Sequence, residues 1–166
     1  LALQLVGELG RHPAQGVDVE GDIAYVISSY TGWPPPNQSY LEVFDVSDGM
    51  NPVLIGSHTT PSLAFGIAVE GDYAYLADTT LGMRVMVISD PTDPTPLSTT
   101  DTPDWATAIE VCGDHAYVAD AFAGLQVIDG LEIGPVCLEK KRLTAPYRLT
   151  AAGGRTAPSM RTREPA

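Results

Sequence analysis

The chain has 166 residues, 44% of them hydrophobic, and a formal net charge of −12; it holds no apolar run long enough to cross a bilayer, which excludes a transmembrane helix. The charge is divided unevenly, because residues 1–138 hold only Arg11 and Arg84 against 19 acids, whereas residues 139–166 hold seven basic residues and two acidic ones. An acidic body lacks the clustered Lys and Arg that phosphate attraction requires, so nucleic acid and anionic membranes are excluded as partners and the acidity reads as a solvated, self-repelling surface.

In chain order, Leu1 to Glu8 matches an outer strand, with Val6-Gly7 resembling Ile55-Gly56 further on. Gly16-Val17-Asp18-Val19 then begins a hairpin at Glu20-Gly21-Asp22, where a Gly and an Asp supply the positive φ or the side-chain-to-backbone bond of a tight turn. The return strand opens with Ile23-Ala24-Tyr25. An insert from Tyr30 to Tyr40 precedes a third strand, Leu41-Glu42-Val43-Phe44. Ser47-Asp48-Gly49-Met50-Asn51-Pro52 is dense in turn formers, and Val53-Leu54-Ile55-Gly56-Ser57 follows as a fourth strand.

The same order then returns twice. Gly66-Ile67-Ala68-Val69, Gly71-Asp72-Tyr73-Ala74-Tyr75, Met83-Arg84-Val85-Met86 and Thr95-Pro96-Leu97-Ser98-Thr99 make the second copy. Ala108-Ile109-Glu110-Val111, Gly113-Asp114-His115-Ala116-Tyr117 and Leu125-Gln126-Val127-Ile128 make the third. The third-strand phrases start at 41, 83 and 125, a period of 42, while the hairpin phrases are spaced by 50 and then 42, so the 8 extra residues lie in the insert. Met83 to Ile88 is apolar on both faces apart from Arg84, as a sheet between two others requires. Pro96 is tolerable only at an edge or a bulge, which suits the outermost strand. Four-stranded units of this length are propeller blades. The fold class is all-β: tandem four-stranded antiparallel blades, about three blades of an incomplete β-propeller.

The phrases Gly-Asp-x-Ala-Tyr-Val/Leu-Ala-Asp, Gly-Leu-Gln-Val-Ile-Asp and Val-Ile-Ser-Asp-Pro-x-x-Pro resemble the LVIVD repeat of β-propeller proteins in the YVTN and WD-repeat-like group. The resemblance spans roughly Leu3 to Leu138 and departs from the pattern at Asp129-Gly130-Leu131-Glu132, where a Ser-Asp-Pro turn is expected. It implies a secreted, periplasmic or cell-surface protein and leaves activity open. Residues 1–138 read as a partial propeller, with blades at approximately 9–57, 58–99 and 100–138 and residues 1–8 as an outer strand of a preceding blade. Residues 139–166, with Gly153-Gly154, Pro158 and Pro165, read as a basic, disordered tail.

Closure of a ring needs at least about four blades, so either further blades or another chain must complete it. Open blade faces are expected to expose Val43, Val85 and Val127. Cys112 is placed at the end of an inner strand and Cys137 on an outer one. Three strand spacings are about 14 Å, beyond the roughly 7 Å limit for bridged Cα atoms, so two free thiols are expected.

The loop between the second and third strands shares a rim with the connection to the next blade. That rim is expected to bind through Tyr30, Trp33, Tyr40, His58, Asp78, Trp105 and Asp120, with His12 and Asp104 beside them. The insert offers aromatic surface on a stiff polyproline segment, suited to a glycan or a peptide. Asp78 and Asp120 occupy equivalent positions before a turn and read as Asx-type turn formers; a ring of carboxylates holding Ca2+ is the alternative. No nucleophile lies beside a base, no histidines have metal spacing, and no Gly-rich loop precedes a helix, so neither a catalytic residue nor a metal ligand is assigned. The expectation is a non-enzymatic interaction scaffold without a cofactor, binding protein or carbohydrate through the rim that carries residues 30–40. The alternatives are a propeller-type hydrolase or lyase with a rim-bound cation, and a purely structural segment of a longer surface protein.

Overall fold

The computed structural model describes residues 12–30 and 38–131. The first sheet contains β1 (Ala14–Glu20), β2 (Ile23–Tyr30), β3 (Gln38–Asp45) and β4 (Val53–Thr60). The second contains β5 (Gly66–Glu70), β6 (Tyr73–Ala77), β7 (Met83–Val87) and β8 (Thr95–Thr100), and the third β9 (Ala106–Cys112), β10 (His115–Asp120) and β11 (Leu125–Asp129). Every sheet is an antiparallel meander with its strands in chain order.

Local chemistry sets this register. The first hairpin of each copy pairs Glu20 with Ile23, Glu70 with Tyr73 and Cys112 with His115, leaving two loop residues each time. The first loop residue is Gly21, Gly71 or Gly113, with φ of 60°, 57° and 61°; an L side chain rarely adopts that conformation. The turns that follow β3 and β7, at the same strand ends as these hairpins, use carboxylates. Asp45 Oδ1 accepts the Ser47 N–H, Asp48 Oδ1 the Met50 N–H and Asp90 Oδ1 the Thr92 N–H, each at 2.9 Å. Hydrogen bonds to the charged form hold all three carboxyls below the usual carboxylate range.

The outer strands share one irregularity. Between the pairs Val43–Gly56 and Phe44–Leu54 an extra residue, Ile55, bulges out of β4, and Leu97 does the same in β8. Pro96 therefore sits at a bulge on an edge strand that is exposed along its whole length.

The sheets stack in a row, with β1 beside β5 and β5 beside β9. Tyr25, Ile27, Leu41 and Val43 of the first blade pack on Ile67, Val69, Ala74, Leu76, Met86 and Ile88 of the second. The second blade's other face, Ala68, Tyr75, Ala77, Met83 and Val85, packs on Ile109, Val111, Ala116 and Val118 of the third. The middle blade is thus buried on both sides, which accounts for its two-sided apolar sequence. Burial, with Tyr73 and Glu70 nearby, pushes the Tyr75 phenol up to about 12.

Two expectations need correction. Val43 and Val85 are covered by the neighbouring blade at 0% and 6% exposure, and only Val127, on the last blade, is open at 53%. The period places all three alike, but each blade supplies the cover for the one before it. Cys112 is disulfide-bonded, and the only other cysteine, Cys137, lies outside the described residues. The expected separation of about 14 Å is taken from the strand order of the other copies and sets Cys137 on an outer strand, a position outside the described residues. The expected strand at 1–8 and the tail at 139–166 also lie outside the described residues.

The seam between inner strands requires small residues. A Cβ on Gly16 would meet the Phe65 carbonyl oxygen at 2.8 Å, and one on Gly66 would meet Ala108 Cα at 2.8 Å. Both obstacles are backbone, which cannot swing away. Gly66→Ala is therefore expected to destabilise the protein by about 1–3 kcal/mol in urea unfolding. Gly49→Ala, where an added methyl meets nothing within 4 Å, is expected to stay within about 0.5 kcal/mol of the parent.

Candidate functional site

The loops that follow β6 and β10 lie on one rim with the connections from β4 to β5 and from β8 to β9. Two of these loops are copies of one turn. The Asp78 N–H donates to the Gly82 carbonyl and the Asp120 N–H to the Gly124 carbonyl, both at 2.8 Å. The glycine N–H groups return to the Thr79 and Ala121 carbonyls at 3.1 and 3.2 Å. Thr79 and Ala121 stand at φ of 36° and 38°, a left-handed conformation costly for residues with a Cβ and, in Thr79, a branched one. The Thr79 carbonyl accepts the Ala106 N–H at 3.1 Å. The second blade's loop is thereby tied to the start of the third blade.

A cavity of about 310 Å3 opens on this rim between the second and third blades. Its walls are Pro61, Ser62, Leu63 and Phe65 from the β4–β5 connection, Thr79 and Thr80 from the β6–β7 loop, and Trp105 from the β8–β9 connection. The Ser62 and Thr79 hydroxyls lie 2.9 Å apart. Trp105 is 59% exposed. No charged side chain lines the cavity.

Beneath the rim lies a layer of buried polar groups, and the repeat explains it. The eighth residues of the phrases that start at Gly21, Gly71 and Gly113, namely Ser28, Asp78 and Asp120, are equivalent, as are the second residues of the third-strand phrases, Glu42, Arg84 and Gln126. In the first blade the Ser28 hydroxyl donates to Glu42 Oε2 at 2.5 Å. His12 Nδ1 stands 3.6 Å from Glu42 Oε1, and its ring stacks on Tyr40 with centroids 4.6 Å apart. The carboxylate is the central member of this trio. Serine nucleophile chemistry needs the imidazole between serine and acid.

In the second blade, Arg84 Nε donates to Asp78 Oδ2 at 2.7 Å, and Asp78 is fully buried with Oδ1 lacking a hydrogen-bond partner. In the third, Asp120 accepts from the Thr102 hydroxyl at 2.8 Å and from the Asp104 N–H at 3.0 Å. The equivalent carboxylates therefore serve different bonds. Neither caps its own turn through its side chain, which corrects the Asx-turn expectation; burial hands their oxygens to partners across the sheet or blade seam.

The model of the family described as LVIVD repeat matches residues 36–60, 63–102 and 105–129, more than half of the chain. The chain belongs to the LVIVD-repeat family. No curated protein matches it. Among solved structures it is similar to the computationally designed Ika4 protein, at 11% identity and a TM-score of 0.45, over 77% of this chain and 99% of that one.

On this LVIVD-repeat scaffold the expected rim residues separate into groups. Trp105 lines the cavity, Tyr40 holds His12, and Asp78 and Asp120 are buried under the rim. His58 sits half-buried in β4 opposite Leu41. Tyr30 ends β2, and Trp33 lies outside the described residues. Asp104 accepts the Phe122 N–H at 3.0 Å. Among the described residues no group of three or more His, Cys, Asp or Glu could hold a metal ion. His115 lies at the β10 start, 3.4 Å from Asp129 Oδ1.

The sequence reading missed Ser62, Phe65, Thr79 and Thr80, which become neighbours of Trp105 only when blades stack. It assigned no role to Glu42, and noted Arg84 only as the exception in an apolar strand. Their signal is legible, since each is a charged residue inside an otherwise apolar third-strand phrase. Arg84→Ala leaves a buried carboxylate unpaired and is expected to cost about 3–5 kcal/mol in urea unfolding. In an Asp78→Asn background the same change is expected to cost far less, a coupling that a double-mutant cycle reads directly.

Proposed function

We propose that this LVIVD-repeat segment is a non-enzymatic interaction module that takes a neutral carbohydrate in the rim cavity beside Trp105. The observation that carries this reading is an exposed indole facing hydroxyl groups, with no charged side chain in the lining. The flat C–H face of a pyranose stacks on an aromatic ring, while Ser62, Thr79 and Thr80 offer donors and acceptors to its hydroxyls. A site built of apolar walls and a few placed polar groups is the usual form of a small-ligand pocket. The aromatic insert at 30–40 falls between β2 and β3 in sequence, and its residues 31–37 lie outside the described residues.

Rigid positioning supports this role. Thr79 is held by the turn to Gly82, by its carbonyl bond to Ala106 and by the Ser62 hydroxyl, so little entropy is lost there on binding. The disulfide at Cys112 suits an oxidising compartment and supports placement outside the cytoplasm.

A neutral-glycan array followed by calorimetry on the best binder tests the proposal. Trp105→Ala is expected to weaken binding by tenfold or more with an unchanged circular dichroism spectrum, removing a stacked aromatic contact of about 1.5 kcal/mol or more. Binding that survives Trp105→Ala and Thr80→Ala intact, or no binding to any neutral glycan, contradicts it.

A further inference from the structure

The cavity beside Trp105 is built from repeat positions, so the period fixes where its next copy lies. Leu63 and Trp105 are equivalent residues of successive connections, 42 apart, and Thr80 of the β6–β7 loop stands with them in the lining. One repeat further on, Trp105 takes the place of Leu63 and Phe122 takes the place of Thr80. Trp105 therefore belongs to two adjoining rim positions, with Thr80 at the first and Phe122 at the second.

Phe122 has a fixed backbone and a free ring. Its N–H donates to Asp104 Oδ2 at 3.0 Å, and the Asp104 N–H donates to the buried Asp120 at 3.0 Å. Two backbone bonds between Asp120, Ala121 and Gly124 close the turn around it. The side chain is 102% exposed. Through the Asp104 bond, covalent reach alone keeps the Cα atoms of Trp105 and Phe122 within about 12 Å of each other. Openness here belongs to the rim position itself, because Thr80 is exposed as well although the third blade packs beside its sheet. One exposed apolar side chain is ordinary. Two exposed aromatic rings joined through the same aspartate form a surface.

We propose, resting on the reading of the cavity as a neutral-carbohydrate site, that Phe122 is its second stacking platform and that the ligand is a linear oligosaccharide lying along the rim from Thr80 across Trp105 to Phe122. The C–H faces of separate pyranose units stack on the two rings. Both turns are held before the ligand arrives, and the second contact, once the first is made, is intramolecular. Asp104 stands at the second position where Ser62 stands at the first. Its carboxylate accepts sugar hydroxyls and repels a carboxylated sugar, so the ligand is neutral along its length.

Calorimetry on the full chain with glucose, mannose and N-acetylglucosamine, each as the monosaccharide and as its linear β-linked trisaccharide, tests this. At least one trisaccharide is expected to bind about tenfold or more tighter than its own monosaccharide, the size of a second stacked contact. Phe122→Ala is expected to shrink that difference to within about twofold while leaving the monosaccharide affinity, the circular dichroism spectrum and urea unfolding as in the parent, since the ring buries nothing. Phe122→Trp is expected to keep the preference for the trisaccharide. Equal affinity for both lengths, or a preference untouched by Phe122→Ala, overturns the second platform and leaves the cavity reading in place wherever Trp105→Ala still weakens the monosaccharide. No binding of any of these sugars, or binding indifferent to Trp105→Ala, overturns both.

Discussion

The structure rests on apolar contact between successive sheets. No sheet here has a core of its own, because the buried residues of each blade meet partners in the next one. Ile27, Leu41, Leu76, Met83, Met86 and Val118 are fully or almost fully buried, and each such side chain contributes about 1.5–3 kcal/mol relative to exposure. The contribution exists only where a neighbour supplies the opposite wall. Stability in such a row is therefore a sum of blade and seam terms, as in other repeat proteins.

The polar layer beneath the rim follows from that packing. Where the second strand of a blade ends, the chain must turn while still enclosed between sheets, so its carboxylates and hydroxyls need partners inside the protein. Each copy meets the demand differently, with Ser28 bonded to Glu42, Asp78 to Arg84, and Asp120 to Thr102 and the Asp104 backbone. Exchanges among these positions change the partner that each group finds, and leave Asp78 Oδ1 without one, while the rest of the repeat stays recognisable. The rim above is freed to vary, and Trp105 and the 30–40 insert are where this chain departs most from its own period.

Much of the fold was legible because its signals are local or periodic. The glycines at 21, 71 and 113, the 42-residue spacing and the lone proline of β8 each have a backbone reason to be where they are. The pairing of sheets into a row follows from the two-sided apolar pattern of Met83 to Ile88. What the period did not carry is the difference between an interior copy and a terminal one: Val85 and Val127 look alike in sequence and sit in opposite surroundings. The Cys112 disulfide escaped because the spacing set against it was borrowed from the other copies rather than carried by residues of the third. Trp105 was named from its place on the rim, but its cavity partners come from two other connections and only the stacked arrangement joins them. Asp78 and Asp120 were recognised as equivalent and given a turn-forming role that their burial contradicts.

The central claim is that each blade buries its leading face on the blade that follows. Alanine truncation at the three equivalent valines, with unfolding measured at concentrations where the chain is monomeric, tests it most directly. Val43→Ala and Val85→Ala are each expected to cost about 2 kcal/mol or more, through lost burial and the cavity left behind, and Val127→Ala less than about 0.5 kcal/mol. Equal losses at all three positions, or a larger loss at Val127, would contradict the account.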